Sequence, residues 1–147
     1  MEEASVFYGL ANDYCCYFKE EVRLDSIPFL IEILMKLYVC AMKLPEAEPQ
    51  PKDFKSASAT KPPIIKINKQ VETTYWEVFD PFHQEEPVCC SLLDDLSDIY
   101  ADLQRGMIEY REGRTQNAVW EWKFGLSNHW GNHVVDVLRA LNRLKAY

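Results

Sequence analysis

The sequence predicts an all-α fold, an antiparallel bundle of four main helices with a long proline-rich crossover between helices two and three. Three observations carry that expectation. Apolar residues recur at helical spacing along four long stretches. Five of the eight prolines crowd into residues 45–63, where neither a helix nor a central strand survives them. The chain has 147 residues, the size of one domain, and a chain of that size buries roughly two thirds of its unfolded surface.

The first helix is expected over 3–21, with Val6, Phe7, Leu10, Ala11, Tyr14 and Phe18 on one stripe. The second opens at Asp25 and Ser26 as caps, with Pro28 in the first turn, where its missing N–H costs nothing. Phe29, Leu30, Ile33, Leu34, Leu37, Tyr38 and Ala41 form its apolar face, and Pro45 stops it. Residues 45–74 form the crossover, in which the Ile64, Ile65, Lys66, Ile67 run is suited to dock extended on the bundle. Loops of this length tend to be functional or mobile. Residues 74–79 (Thr-Tyr-Trp-Glu-Val-Phe) read as a short helix ended by Pro81. The third long helix spans 91–112, with Ser91 and Asp94 resembling a capping box and Leu92, Leu96, Ile99, Leu103, Met107 and Tyr110 facing the core. Gly113 ends it, and the fourth helix runs from Thr115 almost to Tyr147.

Composition excludes several functions. Net charge is -7, from 16 Lys+Arg against 23 Asp+Glu, which disfavours non-specific contact with nucleic acid or anionic membranes. Lys52, Lys55, Lys61, Lys66 and Lys69, with Arg139, Arg143 and Lys145, are too dispersed to reverse that. The stretch 27–44 is interrupted by Pro28, Glu32, Lys36 and Lys43 and does not read as a membrane span. The N-terminus has neither the basic nor the apolar region of a signal peptide. The five cysteines, Cys15, Cys16, Cys40, Cys89 and Cys90, are odd in number and lack CxxC spacing. They read as reduced thiols of a cytoplasmic protein, with a redox role for a Cys-Cys pair as the alternative. Gly-rich phosphate loops, a Gly-x-Ser-x-Gly elbow and a dinucleotide fingerprint are all missing.

Charge is unevenly shared between the last two helices. Residues 75–112 hold ten acidic and two basic residues, whereas 113–147 hold two acidic and five basic. An antiparallel hairpin about residues 113–114 follows. On it, Asp94, Asp95, Asp98 and Asp102 share an arc beside the apolar stripe, and His129 and His133 share a face of the last helix. Folding one helix on the other sets Asp98 level with His129, Asp95 with Asn132 and Asp94 with His133. Carboxylates and imidazoles meeting inside a bundle are the materials of a metal site. His-x-x-x-His is a weak signal alone, and Trp130 stands where a zincin would carry its glutamate base. Three readings stay open: an Asp–His clasp holding the helices together, a divalent-metal site on Asp95, Asp98, His129 and His133, or acid/base catalysis by that cluster. Arg105, three residues after Asp102, reads as a salt-bridge partner. Trp120, Trp122 and Trp130 read as core, with a ligand or partner surface as the alternative.

The motifs Ala11-Asn-Asp-Tyr-Cys15, Leu37-Tyr-Val-Cys-Ala-Met-Lys-Leu-Pro45, Leu93-Asp-Asp-Leu-Ser-Asp-Ile-Tyr-Ala-Asp-Leu103 and Ala118-Val-Trp-Glu-Trp-Lys-Phe124, followed by His129-Trp-Gly-Asn-His133, occur in that order. Together they resemble an uncharacterised bacterial family common among Bacteroidetes, the domain of unknown function numbered 5063. The resemblance covers nearly the whole chain. It implies a compact helical fold and places Asp95, Asp98, His129 and His133 in the family pattern, with no assigned activity. The leading functional expectation is a cytoplasmic interaction module that binds an unidentified protein partner or a second copy of itself, without nucleic acid, membrane or cofactor. The alternative is a metal-dependent or acid/base enzyme, and it requires Asp95 and Asp98 to lie within about 8 Å of an imidazole, given metal–ligand bonds of ~2.0–2.2 Å.

Overall fold

A computed structural model describes residues 2–50 and 62–144. Among these residues the elements are α1 (Glu2–Tyr17), α2 (Ile27–Met42), β1 (Thr74–Glu77), β2 (Val88–Ser91), α3 (Leu92–Arg111), α4 (Thr115–Asn128) and α5 (Trp130–Leu144). The fold is mostly helical, as the sequence predicts. The middle of the crossover, with Pro51, Lys52, Lys55, residues 56–60 and Lys61, lies outside the described residues, as does Lys145.

Two expectations need correcting. Residues 74–77 form a strand, not a helix, paired antiparallel with β2 so that Tyr75 faces Cys90 and Trp76 faces Cys89. Thr, Tyr and Trp fit a pleated surface better than a helix, and the alternation buries Glu77 while leaving Trp76 exposed. The expected fourth helix is two helices, broken at His129, whose backbone has φ -148° and ψ -83°. At the break a Cβ on residue 131 would collide with the Leu126 carbonyl oxygen, so only glycine lets the chain bend back this closely. The bundle therefore holds five α-helices among the described residues, with a single 3-10 turn at Leu24–Ser26 leading into α2.

Local signals account for the other boundaries. Pro28 sits in the first turn of α2. Ser91 caps α3 by accepting the Asp94 N–H at 3.2 Å. Gly113, at φ +78°, reverses the chain between α3 and α4. There Glu109, almost wholly buried, accepts from Arg114 at 2.6 and 3.0 Å and from Asn117 at 3.1 Å. Arg114 holds its carboxyl below the usual carboxylate range.

The principal packing partners of α3 are α4, α5 and α1, while α2 packs mainly on α1 and α5. The core between them is aromatic: Phe7 lies 4.7 Å from the Trp122 ring and 6.2 Å from Trp130. Each buried indole N–H reaches a carbonyl, Trp122 donating to Leu103 and Trp130 to Trp122. Gly106 and Gly125 permit this packing, since a Cβ at either would strike the Trp122 or Trp130 ring. The crossover docks extended after residue 62. Val22 and Ile67 form a parallel bridge, and Ile65 and Val71 are buried, whereas Ile64 is exposed.

Candidate functional site

α3 presents Asp95, Asp98 and Asp102 along one side, toward the joint between α4 and α5 that carries His129 and His133. His129 Nδ1 lies 2.6 Å from Asp102 Oδ2, and His133 Nδ1 lies 2.8 Å from Asp95 Oδ1. Asp98 Oδ2 is 3.5 Å from His133 Nε2. His129 thus meets Asp102, one helical turn beyond the Asp98 expected at its level, whereas His133 meets Asp95, the immediate neighbour of the expected Asp94. The break at His129 ends the straight helix on which the expected levels rested. Asp94 is exposed and its backbone serves the α3 cap.

Each aspartate that holds an imidazole is itself held from behind. Arg105 donates to Asp102 Oδ1 at 2.7 Å, and the Tyr75 hydroxyl donates to Asp95 Oδ2. Burial and the Asp95 hydrogen bond both raise the Tyr75 pKa, which keeps the phenol a donor. Asp95 and Asp102 are buried, so their charges are stabilised only by these partners. Asp95 and Asp102 therefore orient the rings, while Asp98, whose side chain is half exposed, remains able to bind something else.

The two rings stand nearly perpendicular, 86° apart, with their Nε2 atoms 3.3 Å from each other. A carboxylate can only accept, so each Nδ1 facing an aspartate carries its proton, and in neutral rings both Nε2 lone pairs point into the same gap. Two lone pairs at that distance repel unless a proton or a cation lies between them. An ion with tetrahedral bonds of ~2.0–2.1 Å to nitrogen separates two such ligands by about 3.3–3.4 Å. The observed gap has that width. One atom each from Asp98, His129 and His133 all lie within 4.8 Å of one another. A carboxylate behind each ligating imidazole is the usual support of a metal-bound histidine.

The surroundings raise the His133 pKa, chiefly through the Asp95 hydrogen bond, with Asp95, Asp98 and Asp136 adding their charges against the opposing effect of burial. Asp136 is shifted upward by burial and by its neighbours Glu77 and Asp95. Two clefts flank the cluster. One, of about 190 Å³, is lined by His129, Asp102, Arg105, Asn128 and the stacked Trp120 and Phe124 rings. The other, of about 590 Å³, is lined by Glu77, Phe79, Asn132, Val135, Asp136 and Arg139.

Trp122 and Trp130 are fully buried and offer no surface to a ligand or partner, while Trp120 is partly exposed. Reading the sequence missed Tyr75, whose place behind Asp95 depends on the strand; the alternation Thr-Tyr-Trp-Glu was the signal available. The five cysteines are free thiols, and burial pushes the Cys15 thiol up to about 12. Among the described residues no helix is long and apolar enough to cross a membrane.

Comparison with known proteins agrees on the fold. Protein BF1032 from Bacteroides fragilis, known from a crystal structure, superposes with a TM-score of 0.70 at 17% identity, over 100% of this chain and 97% of that one. No curated protein matches the chain. The family model described as a domain of unknown function, DUF5063, matches residues 1–147, and the chain belongs to that family.

Proposed function

We propose that the protein binds one divalent transition-metal ion through His129 Nε2, His133 Nε2 and Asp98, with the open side of a hydrolytic metal centre. The observation that carries this reading is the pair of Nε2 atoms converging at 3.3 Å while each Nδ1 is held by its own buried aspartate. A purely structural clasp needs one Asp–His bond per pair and does not require the rings' far nitrogens to meet. Two imidazoles and one carboxylate leave at least one position for water, as catalytic zinc and iron(II) sites do. The ion would supply Lewis acidity and lower the pKa of a bound water. Asp95 and Asp102 would hold the rings in one tautomer, with Tyr75 and Arg105 fixing the aspartates. The cluster lies at the surface, with 51% of the His129 side chain exposed, so a substrate has access.

The test is elemental analysis of untagged protein purified without chelator, beside the His129→Ala, His133→Ala double variant. One equivalent of zinc, iron or manganese, lost in the variant, is expected. Metal absent from both, with the variant merely less stable, would reduce the cluster to a clasp.

A second reading, the interaction module, has its own support in the groove between α1 and α2. It has a volume of about 570 Å³, and Val6, Met35 and Val39 on its walls are about half exposed. Light scattering of the protein and of Val39→Glu addresses it. A dimer that becomes monomeric in the variant supports self-association, and monomers in both oppose it.

A further inference from the structure

We propose that the cleft between Arg105 and His129 is the substrate pocket of this metal centre, and that it takes a small substrate bearing an oxyanion beside a flat apolar group. The inference rests on the metal reading above. Arg105 lies on the cleft wall with 36% of its side chain exposed, and one of its N–H groups is committed to Asp102. Guanidinium carries five donors in a planar fork suited to carboxylate and phosphate, so most of that capacity remains for a ligand. One carboxylate and one imidazole separate the guanidinium from the Nε2 of His129. His129 is itself a wall of the cleft, so an oxyanion beside Arg105 lies against the imidazole that would carry the ion.

The remaining walls select the rest of the molecule. The Trp120 and Phe124 rings stack 4.8 Å apart and 13° from parallel, giving the cleft a flat apolar side. Gly125 adds no side chain there, and Asn128 stands at the edge with its amide donating to the Phe124 carbonyl at 2.9 Å. About 190 Å³ is below the range of drug-sized pockets and admits a single ring with one anionic substituent. Asp102 and Glu121 also line the cleft, and their carboxylates disfavour an anion when the ion is absent. Anion binding is therefore coupled to metal binding, and each ligand strengthens the other.

Cobalt(II) serves as the probe metal, with benzoate and phenyl phosphate as the probe anions, followed by visible spectroscopy and calorimetry. Cobalt-loaded protein should show ligand-field bands that shift on addition of one or both anions, with saturable heats that vanish in metal-free protein. Measured at saturating cobalt, Arg105→Met should weaken the anion at least tenfold and Arg105→Lys should recover part of the loss, while Phe124→Ala, outside the support of the metal, should keep the cobalt bands and weaken both anions. Preference between the two anions identifies the oxyanion as carboxylate or phosphate. Cobalt bands that ignore both anions, or an affinity equal in Arg105→Met, overturn the pocket and leave the metal centre standing. Wild-type protein without cobalt bands overturns the metal centre itself, and the pocket with it.

Discussion

The α1–α2 pair and the α3–α4–α5 unit solve the problem of burial in different ways. The first closes on Phe7, Ala11, Ile27, Leu30, Leu34 and Leu37, with neutral hydroxyls as its polar contacts, Tyr14 donating to the Leu96 carbonyl and Tyr17 to Ser26 Oγ. The buried charged residues among those described, Glu77, Asp95, Asp102, Glu109 and Glu121, all lie beyond residue 74. A buried carboxylate costs stability unless its oxygens are used, so a fold that gathers several in one half has a reason beyond cohesion. Glu109 provides the internal contrast. Its partners Arg114 and Asn117 are strictly local and close a turn. Asp95 and Asp102 instead spend one oxygen each on an imidazole whose far nitrogen points outward to a shared gap.

This contrast yields tests in descending size. Leu34→Ala should cost about 2–5 kcal/mol in denaturant unfolding, with metal affinity of the folded protein unchanged. Gly131→Ala should cost about 1–3 kcal/mol and also weaken the metal, because it forces the α4–α5 joint open; titration with zinc beside thermal melts separates the two effects. Asp102→Asn should leave the fold intact and lower metal affinity about 10–100-fold, or ~1.4–2.7 kcal/mol. Glu109→Gln should do the opposite, losing about 1–3 kcal/mol of stability with no change in metal affinity. Metal loss in Glu109→Gln, or none in Asp102→Asn, would erase the distinction between the two kinds of carboxylate.

The smallest effect is in pH. Because the His133 pKa is raised in the folded state, its protonated form stabilises metal-free protein below about pH 6.5, and that contribution disappears as pH rises through the raised value. Metal competes with the same proton, so zinc affinity should climb over that interval. The Glu109 contribution has the opposite sense, present above the ordinary carboxylate range and lost as pH falls through its lowered pKa. Melting curves with and without zinc between pH 5 and pH 8 read the first, and their extension below about pH 4.5 reads the second.

Much of this was legible in the residues, though unevenly. Helices α1, α2 and α3 announced themselves through periodicity, Pro28 and the Ser91 cap, and the opposite charges of the chain around Gly113 pointed to the hairpin. Asp95, Asp98, His129 and His133 were visible as a cluster for the same reason. The His129 pairing was one turn out because a straight helix was assumed through it, and a single glycine two residues on gives little warning of a bend that brings the backbone against the Leu126 carbonyl. Tyr75 was hidden for a similar reason: four residues are too few for periodicity to separate strand from helix, and the pairing partner lies across a loop.

The reversal at Gly113 also bears on how the protein is made. His129 and His133 lie only 27 and 38 residues from the aspartates they face. Contacts so close along the chain form early, because little loop entropy is spent in closing them. A nascent chain that has emerged through residue 144 can therefore gather Asp98, His129 and His133 without waiting for α1 and α2 to dock. Under the metal reading proposed above, metal availability at the ribosome would then influence the yield of folded protein.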